Sequence, residues 1–102
     1  MSFKRASDAA VKLAKIAADR LAVNEQVYGS ADNYVERKPK AELITYVRRR
    51  IDEMLNTLAE KPDASVEILL SDCFNHLCFV MARADLDAQQ NPATQEVQDD
   101  HA

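Results

Sequence analysis

Ser65 to Ala88 reads SVEILLSDCFNHLCFVMARADLDA, the most apolar stretch of an otherwise polar chain. Val66, Leu70, Cys73, Leu77, Val80 and Ala84 recur at steps of four and three, the spacing of one helical face. Leu69, Phe74, Cys78 and Met81 widen that stripe beyond what a single partner helix covers. Ser71, Asp72, Asn75, His76 and Arg83 interrupt it. A helix this apolar belongs at the centre of a bundle or in a subunit interface. Among 102 residues there is one Gly and there are three Pro, with 47% hydrophobic residues, which suits helices better than sheets.

Upstream, Pro39 begins a second long helix, since proline is tolerated at a first helical position. Ile44, Val47, Ile51, Met54 and Leu58 step by three and four, a coiled-coil-like seam. This seam is expected to face the Val66-to-Ala84 stripe. Pro62 disfavours helix at Lys61, and Asp63 or Ser65 caps the next helix, with Glu67 favourably placed in its first turn. So short a connection makes the two helices an antiparallel pair. Arg48–Asp52 and Arg49–Glu53 have ion-pair spacing. The run Arg48-Arg49-Arg50 spreads over about 200° of helix surface, so at most one or two of the three can hold one phosphate group.

Before this hairpin, Ser7 to Val27 reads as an Ala-rich helix with Ala10, Leu13, Ala14, Ala17 and Leu21 on its apolar stripe. Asp8–Lys12 and Lys15–Asp19 are spaced as ion pairs on its other face. Gly29 stands where a helix stop is expected. Residues 29–38, GSADNYVERK, read as the main loop, with Ser30, Asp32 and Asn33 as turn and cap formers. Tyr28, Tyr34, Arg37, Lys38 and Lys40 gather around it, and loops on a rigid scaffold are common binding sites.

Residues 1–88 therefore form one helical domain, and residues 89–102, polar and acidic, read as a disordered tail. Residues 1–50 carry eleven Lys and Arg against six Asp and Glu; residues 51–102 carry two against eleven. This asymmetry fits solvated faces, a basic patch for an anion, or charge pairing between subunits. The sequence pI of about 5.1 argues against direct nucleic-acid binding. The N-terminal MSFKRASDAA lacks an apolar leader core, and no run approaches 18 apolar residues, so a soluble, cytoplasmic chain without membrane association is expected. Cys73 and Cys78 point in different directions from one helix and are expected to be unpaired thiols.

Candidate chemistry is sparse. Asp72 and His76 share a helical face, and a bond between them within the helix is expected. Cys73 and His76 form C-x-x-H, but a structural zinc needs four ligands, so neither metal nor cofactor is expected. YGSADNY, Tyr28 to Tyr34, loosely resembles a loop in phage relatives of the MazG-type nucleotide pyrophosphohydrolases. The carboxylate-bearing helices of that group have no counterpart here: the first helix offers only Asp8 and Asp19, interleaved with lysines. No enzymatic activity is expected.

The hairpin also resembles the helical hairpin domain of phage anti-CBASS and anti-Thoeris sponges. The features that carry the resemblance are Arg48, then Pro62, then Ser65-Val66-Glu67, and at the end of the last helix Met81-Ala82-Arg83-Ala84-Asp85-Leu86. The match covers at most residues 44–87. It implies a non-catalytic oligomer that sequesters a cyclic-nucleotide immune signal, in the host cytoplasm if phage-encoded. Residue type then makes Tyr28 and Tyr34 the stacking groups and Lys38, Lys40 and Arg48 the phosphate ligands.

The expected architecture is all-α: an antiparallel hairpin of two long helices with the N-terminal helix across it, a self-associating three-helix bundle. Besides a second copy, the candidate partners are a cyclic nucleotide or, in the alternative reading, a host or defence protein that the chain inhibits or bridges.

Overall fold

The structure, a computed structural model, describes residues 3–90. They form four helices: α1 (Lys4–Tyr28), α2 (Ala31–Arg37), α3 (Lys40–Glu60) and α4 (Val66–Gln90). Among the described residues there is no strand. The all-α expectation holds. The element count differs, because the expected loop contains α2.

The signals taken for a turn there are a helix start. The Ser30 hydroxyl accepts from the Asn33 N–H at 3.3 Å, a side-chain N-cap, and Asp32 lies in the first turn. The Ala31 N–H donates to the Glu25 carboxylate at 2.8 Å, so α1 supplies a second capping group for α2. Between the two helices Gly29 adopts φ +92°, ψ −174°, a region open essentially to glycine alone. The expected stop is therefore present, as an extended left-handed kink.

Pro39 is the N-cap of α3 rather than its first helical residue, and α3 ends at Glu60 with Lys61 as its C-cap. The Ile68 N–H donates to Ser65 Oγ at 3.4 Å, so Ser65 rather than Asp63 caps α4. α4 continues through Gln90, past the expected start of the tail at residue 89. Residues 91–102 of that tail lie outside the described residues.

α4 is central: α1, α2 and α3 all pack on it. The α3–α4 hairpin forms as expected, with a different seam. Leu43 is 1% exposed, whereas Ile44 and Ile51 are exposed, and Val47, Met54 and Leu58 are half-buried. α3 is thus rotated toward Leu43 from the expected seam, by roughly 60° at 3.6 residues per turn, and keeps Val47, Met54 and Leu58 on the covered side. The α4 stripe is likewise divided. Cys73 is buried, Leu70, Val80 and Ala84 are half-buried, and Val66 and Leu77 are exposed.

The contact with α1 is polar. Ala17 and Ser71 are fully buried, and buried Asn75 donates from Nδ2 to the Ala17 carbonyl at 2.9 Å. An alanine at the crossing lets the backbones approach closely enough for this bond. Ser71, one turn before Asn75, satisfies its own hydroxyl by donating to the Ile68 carbonyl at 2.7 Å. At the other end, the Arg83 guanidinium donates to the Val35 and Glu36 carbonyls at 3.3 and 2.9 Å, closing the C-terminal end of α2.

The surface ion pairs are partly rearranged. Lys15–Asp19 forms at 3.4 Å, but Asp8 pairs with Lys4, and Lys12 with Glu67 on α4. On α3, Arg50 pairs with Glu53 at 2.8 Å, and Arg49 lies over the Tyr46 ring at 5.5 Å. Both cysteines are free, Cys73 buried and Cys78 exposed. No helix among the described residues is long and apolar enough to cross a membrane.

Candidate functional site

A cleft of about 590 Å³ opens where the C-terminal end of α1, the start of α2, the middle of α3 and the middle of α4 meet. That volume lies within the range of small-molecule sites. α1 contributes Arg20, Asn24, Glu25 and Tyr28; α2 and its cap contribute Ser30, Asn33, Tyr34 and Arg37. α3 contributes Arg50, and α4 contributes Asp72, Asn75, His76 and Phe79.

Both carboxylates of the cleft are engaged. Asp72 accepts from Arg20 Nη2 at 3.0 Å, and Glu25 caps α2. The expected bond between His76 and Asp72 is not formed. Asp72 turns instead to Arg20, a stronger charge-assisted donor, and His76 Nδ1 is buried without a hydrogen-bond partner. Burial and the charge of Arg50 together hold the imidazole below its usual pKa. Its ring meets Phe79 edge-on at 5.2 Å.

The aromatic side of the cleft is built on Tyr34. Its ring meets Phe79 edge-on at 5.4 Å and stacks with Tyr46 at 6.5 Å. Burial, reinforced by the Glu42 carboxylate, raises its pKa, so the phenol stays a donor at neutral pH. Tyr46 OH donates to Glu42 at 2.6 Å. Tyr28 is the opposite case: 85% exposed at the mouth, its ring face is free to take a planar ligand.

Three guanidinium groups open on the cleft, and they differ. Arg20 is tied to Asp72, and Arg50 to Glu53. Arg37 donates from Nε to the Asn33 carbonyl at 3.3 Å and has no carboxylate partner among the described residues. Its outer nitrogens are left for an incoming anion.

Of the residues expected from sequence, Tyr28 and Tyr34 line this cleft; Lys38, Lys40 and Arg48 do not. Lys38 is half-buried against Glu42 at 3.6 Å, and Lys40 is exposed at the start of α3. Arg48 is exposed, about 160° around α3 from Arg50. Sequence reasoning missed Arg20, Arg50, Asn24, Asn33 and Asn75 as cleft residues. No sequence signal singled out Arg50: it stands two turns after Leu43, and only the structure shows that Leu43 is the buried side of α3. Among the described residues no group of three His, Cys, Asp or Glu could hold a metal ion.

The chain matches no family model, and no match emerges from comparison with curated proteins or with solved structures. The geometry of the cleft is accordingly what carries a functional reading.

Proposed function

We propose that this chain is a non-catalytic binding protein that holds a small anionic nucleotide in the cleft, as part of a homo-oligomer. One observation carries the reading. Arg37, with its outer nitrogens free, opens on the same cleft as the exposed ring of Tyr28, and Arg20 and Arg50 line it too. A nucleotide needs this combination: a π-face for the base and planar donors for the phosphate. The asparagine amides of the cleft supply further donors and acceptors for a base edge or sugar. The resemblance of the hairpin to phage sponges supports a cyclic nucleotide and a sequestering, anti-defence role.

The test is a thermal-shift titration against a panel of linear and cyclic nucleotides. A ligand at 100 times its Kd adds about 2.7 kcal/mol, and each kcal/mol raises Tm by roughly 4–8 °C in a domain this small. The expected result is a shift for one nucleotide class, lost in Arg37→Ala and reduced in Tyr28→Ala. Arg48→Ala, away from the cleft, should keep it. Recovery of intact nucleotide after incubation with magnesium separates holding from turnover. A flat response across the panel would overturn the reading in favour of an inhibitor or adaptor that binds a protein.

A further inference from the structure

Among the cleft residues, His76 alone has an ordinary pKa near neutrality. It shares one face of α4 with Asp72, Asn75 and Phe79, which are spaced by three and four and all line the cleft. Its Nδ1 is buried without a hydrogen-bond partner among the described residues. Nε2 is not enclosed in this way, and it is the side of the ring that a ligand in the cleft can reach.

Charged and titratable groups reach the cleft from every helix around His76. α1 brings Arg20, bound through Nη2 to Asp72 at 3.0 Å, with its Nε buried and unpartnered among the described residues. α2 brings Arg37 and the Tyr34 phenol, and α3 brings Arg50, paired with Glu53. Burial and Arg50 disfavour the imidazolium; Asp72 and Glu53 favour it but do not prevail. With Glu25 at the start of α2, three guanidinium groups face three carboxylates, so the charges balance while His76 is neutral. A doubly charged anion upsets that balance. It offsets the field of Arg50 that opposes the imidazolium, and it competes with Asp72 for Arg20. Asp72 stands one turn before His76, so a carboxylate released from Arg20 has the ring within reach.

We propose that His76 is a proton-linked ligand for a doubly charged anion: as the anion enters the cleft, the imidazole takes up a proton from solvent, Nε2–H donates to the anion and Nδ1–H donates to Asp72. Arg20 turns from Asp72 to the anion in the same step. The balance is one proton lost by the solvent and one gained by the ring, so the complex carries one positive charge more than the sum of its parts. The consequence is a specificity. A dianion binds more tightly as pH falls from the His76 midpoint of the complex to that of the free chain, and the gain levels off below. A singly charged ligand, which Arg37 can meet alone, shows much less of this dependence. The inference rests on the reading of the cleft as an anion site and deepens it, without requiring that the anion be a nucleotide.

The test is an NMR pH titration of the full chain that follows the His76 ring nitrogens in sodium sulfate, a dianion of fixed charge across the range, and in sodium chloride of equal ionic strength. His76→Gln assigns the signals. In chloride the midpoint should lie below 6.5. In sulfate it should rise by about one pH unit, equivalent to about tenfold tighter sulfate binding to the protonated form. Asp72→Asn should remove most of that rise; an equal rise in this variant would overturn the exchange of partners. A midpoint that stays put while sulfate moves the Arg20 and Arg37 side-chain signals would overturn the proton link and leave the anion site standing. Sulfate that moves no cleft signal at any concentration would overturn both. A rise in sulfate beside a flat nucleotide panel would sink the nucleotide and keep the proton link. The native chain decides that link even if Asp72→Asn does not fold.

Discussion

The two faces of the α3–α4 hairpin are built from the same helices and differ in kind. The cleft face is polar and tied together: Arg20 to Asp72, Arg50 to Glu53, Asn75 to the Ala17 carbonyl, Tyr34 against Phe79. The far face carries Ile44, Ile51, Leu55, Leu77 and Met81, all partly exposed to solvent. Specific hydrogen bonds suit a site that must recognise one shape, because each buried polar group left unpaired has a cost. Non-directional apolar area suits association, where burial supplies the driving force.

The contrast can be tested by truncation. The largest expected effect is at the seam. Leu43→Ala should cost about 2–5 kcal/mol in denaturant unfolding, because a fully buried leucine leaves a cavity that its neighbours only partly fill. Ile51→Ala, at an exposed position on the same helix, should cost much less. Equal costs for the two variants would erase the distinction between the seam and the far face.

A smaller effect is expected on the cleft face. Asn75→Ala should cost about 1–3 kcal/mol, since it removes a buried amide from the α1–α4 crossing. The loss should be specific to α1, visible as faster amide exchange there while the hairpin stays protected. Uniform loss of protection would mean that α1 and the hairpin unfold as one unit.

The smallest effect is the pH dependence of His76. Its pKa is lowered in the folded state, so the unfolded chain binds the proton more readily. Its contribution is therefore fully present above the unfolded value of about 6.5 and declines as pH falls through it toward the folded value. Stability measured across this window should fall with acidification in the native chain and fall less in His76→Gln. Matching pH profiles for the two proteins would show that the charge of Arg50 and the burial at the cleft floor do not govern the imidazole.

Much of the fold could be read from residue order. The Ser65-to-Ala88 stretch is a helix because its apolar periodicity is long and has a serine cap. Pro39 and Pro62 bracket α3, and Gly29 stops α1. α2 was not legible, because seven residues are too few for periodicity to show. Its cap is the Ser30-to-Asn33 spacing, which in isolation is also turn chemistry, and its other cap comes from Glu25 across the Gly29 kink. Of the site, the tyrosines could be found by type. The arginines could not be sorted: Arg48, Arg49 and Arg50 are chemically alike and differ only in which way α3 is rotated.

The sequence alone determined that the described residues are helical, that the two long C-terminal helices pack on each other, and to within a residue where α3 begins and ends. These properties depend on local terms, namely period, caps and the conformational limits of Gly and Pro. Only the tertiary structure decided which flank of α3 turns inward, that Asp72 bonds Arg20 rather than His76, and that Arg20, Arg37 and Arg50 meet at one cleft. The physical reason is the width of the apolar surface. Leu43, Ile44, Val47, Ile51, Met54, Leu55 and Leu58 offer α3 more than one face to bury, so periodicity leaves its rotation open. The packing of Leu43 against α4 closes that choice, turning Arg50 to the cleft and leaving Ile44, Ile51 and Leu55 on the outside.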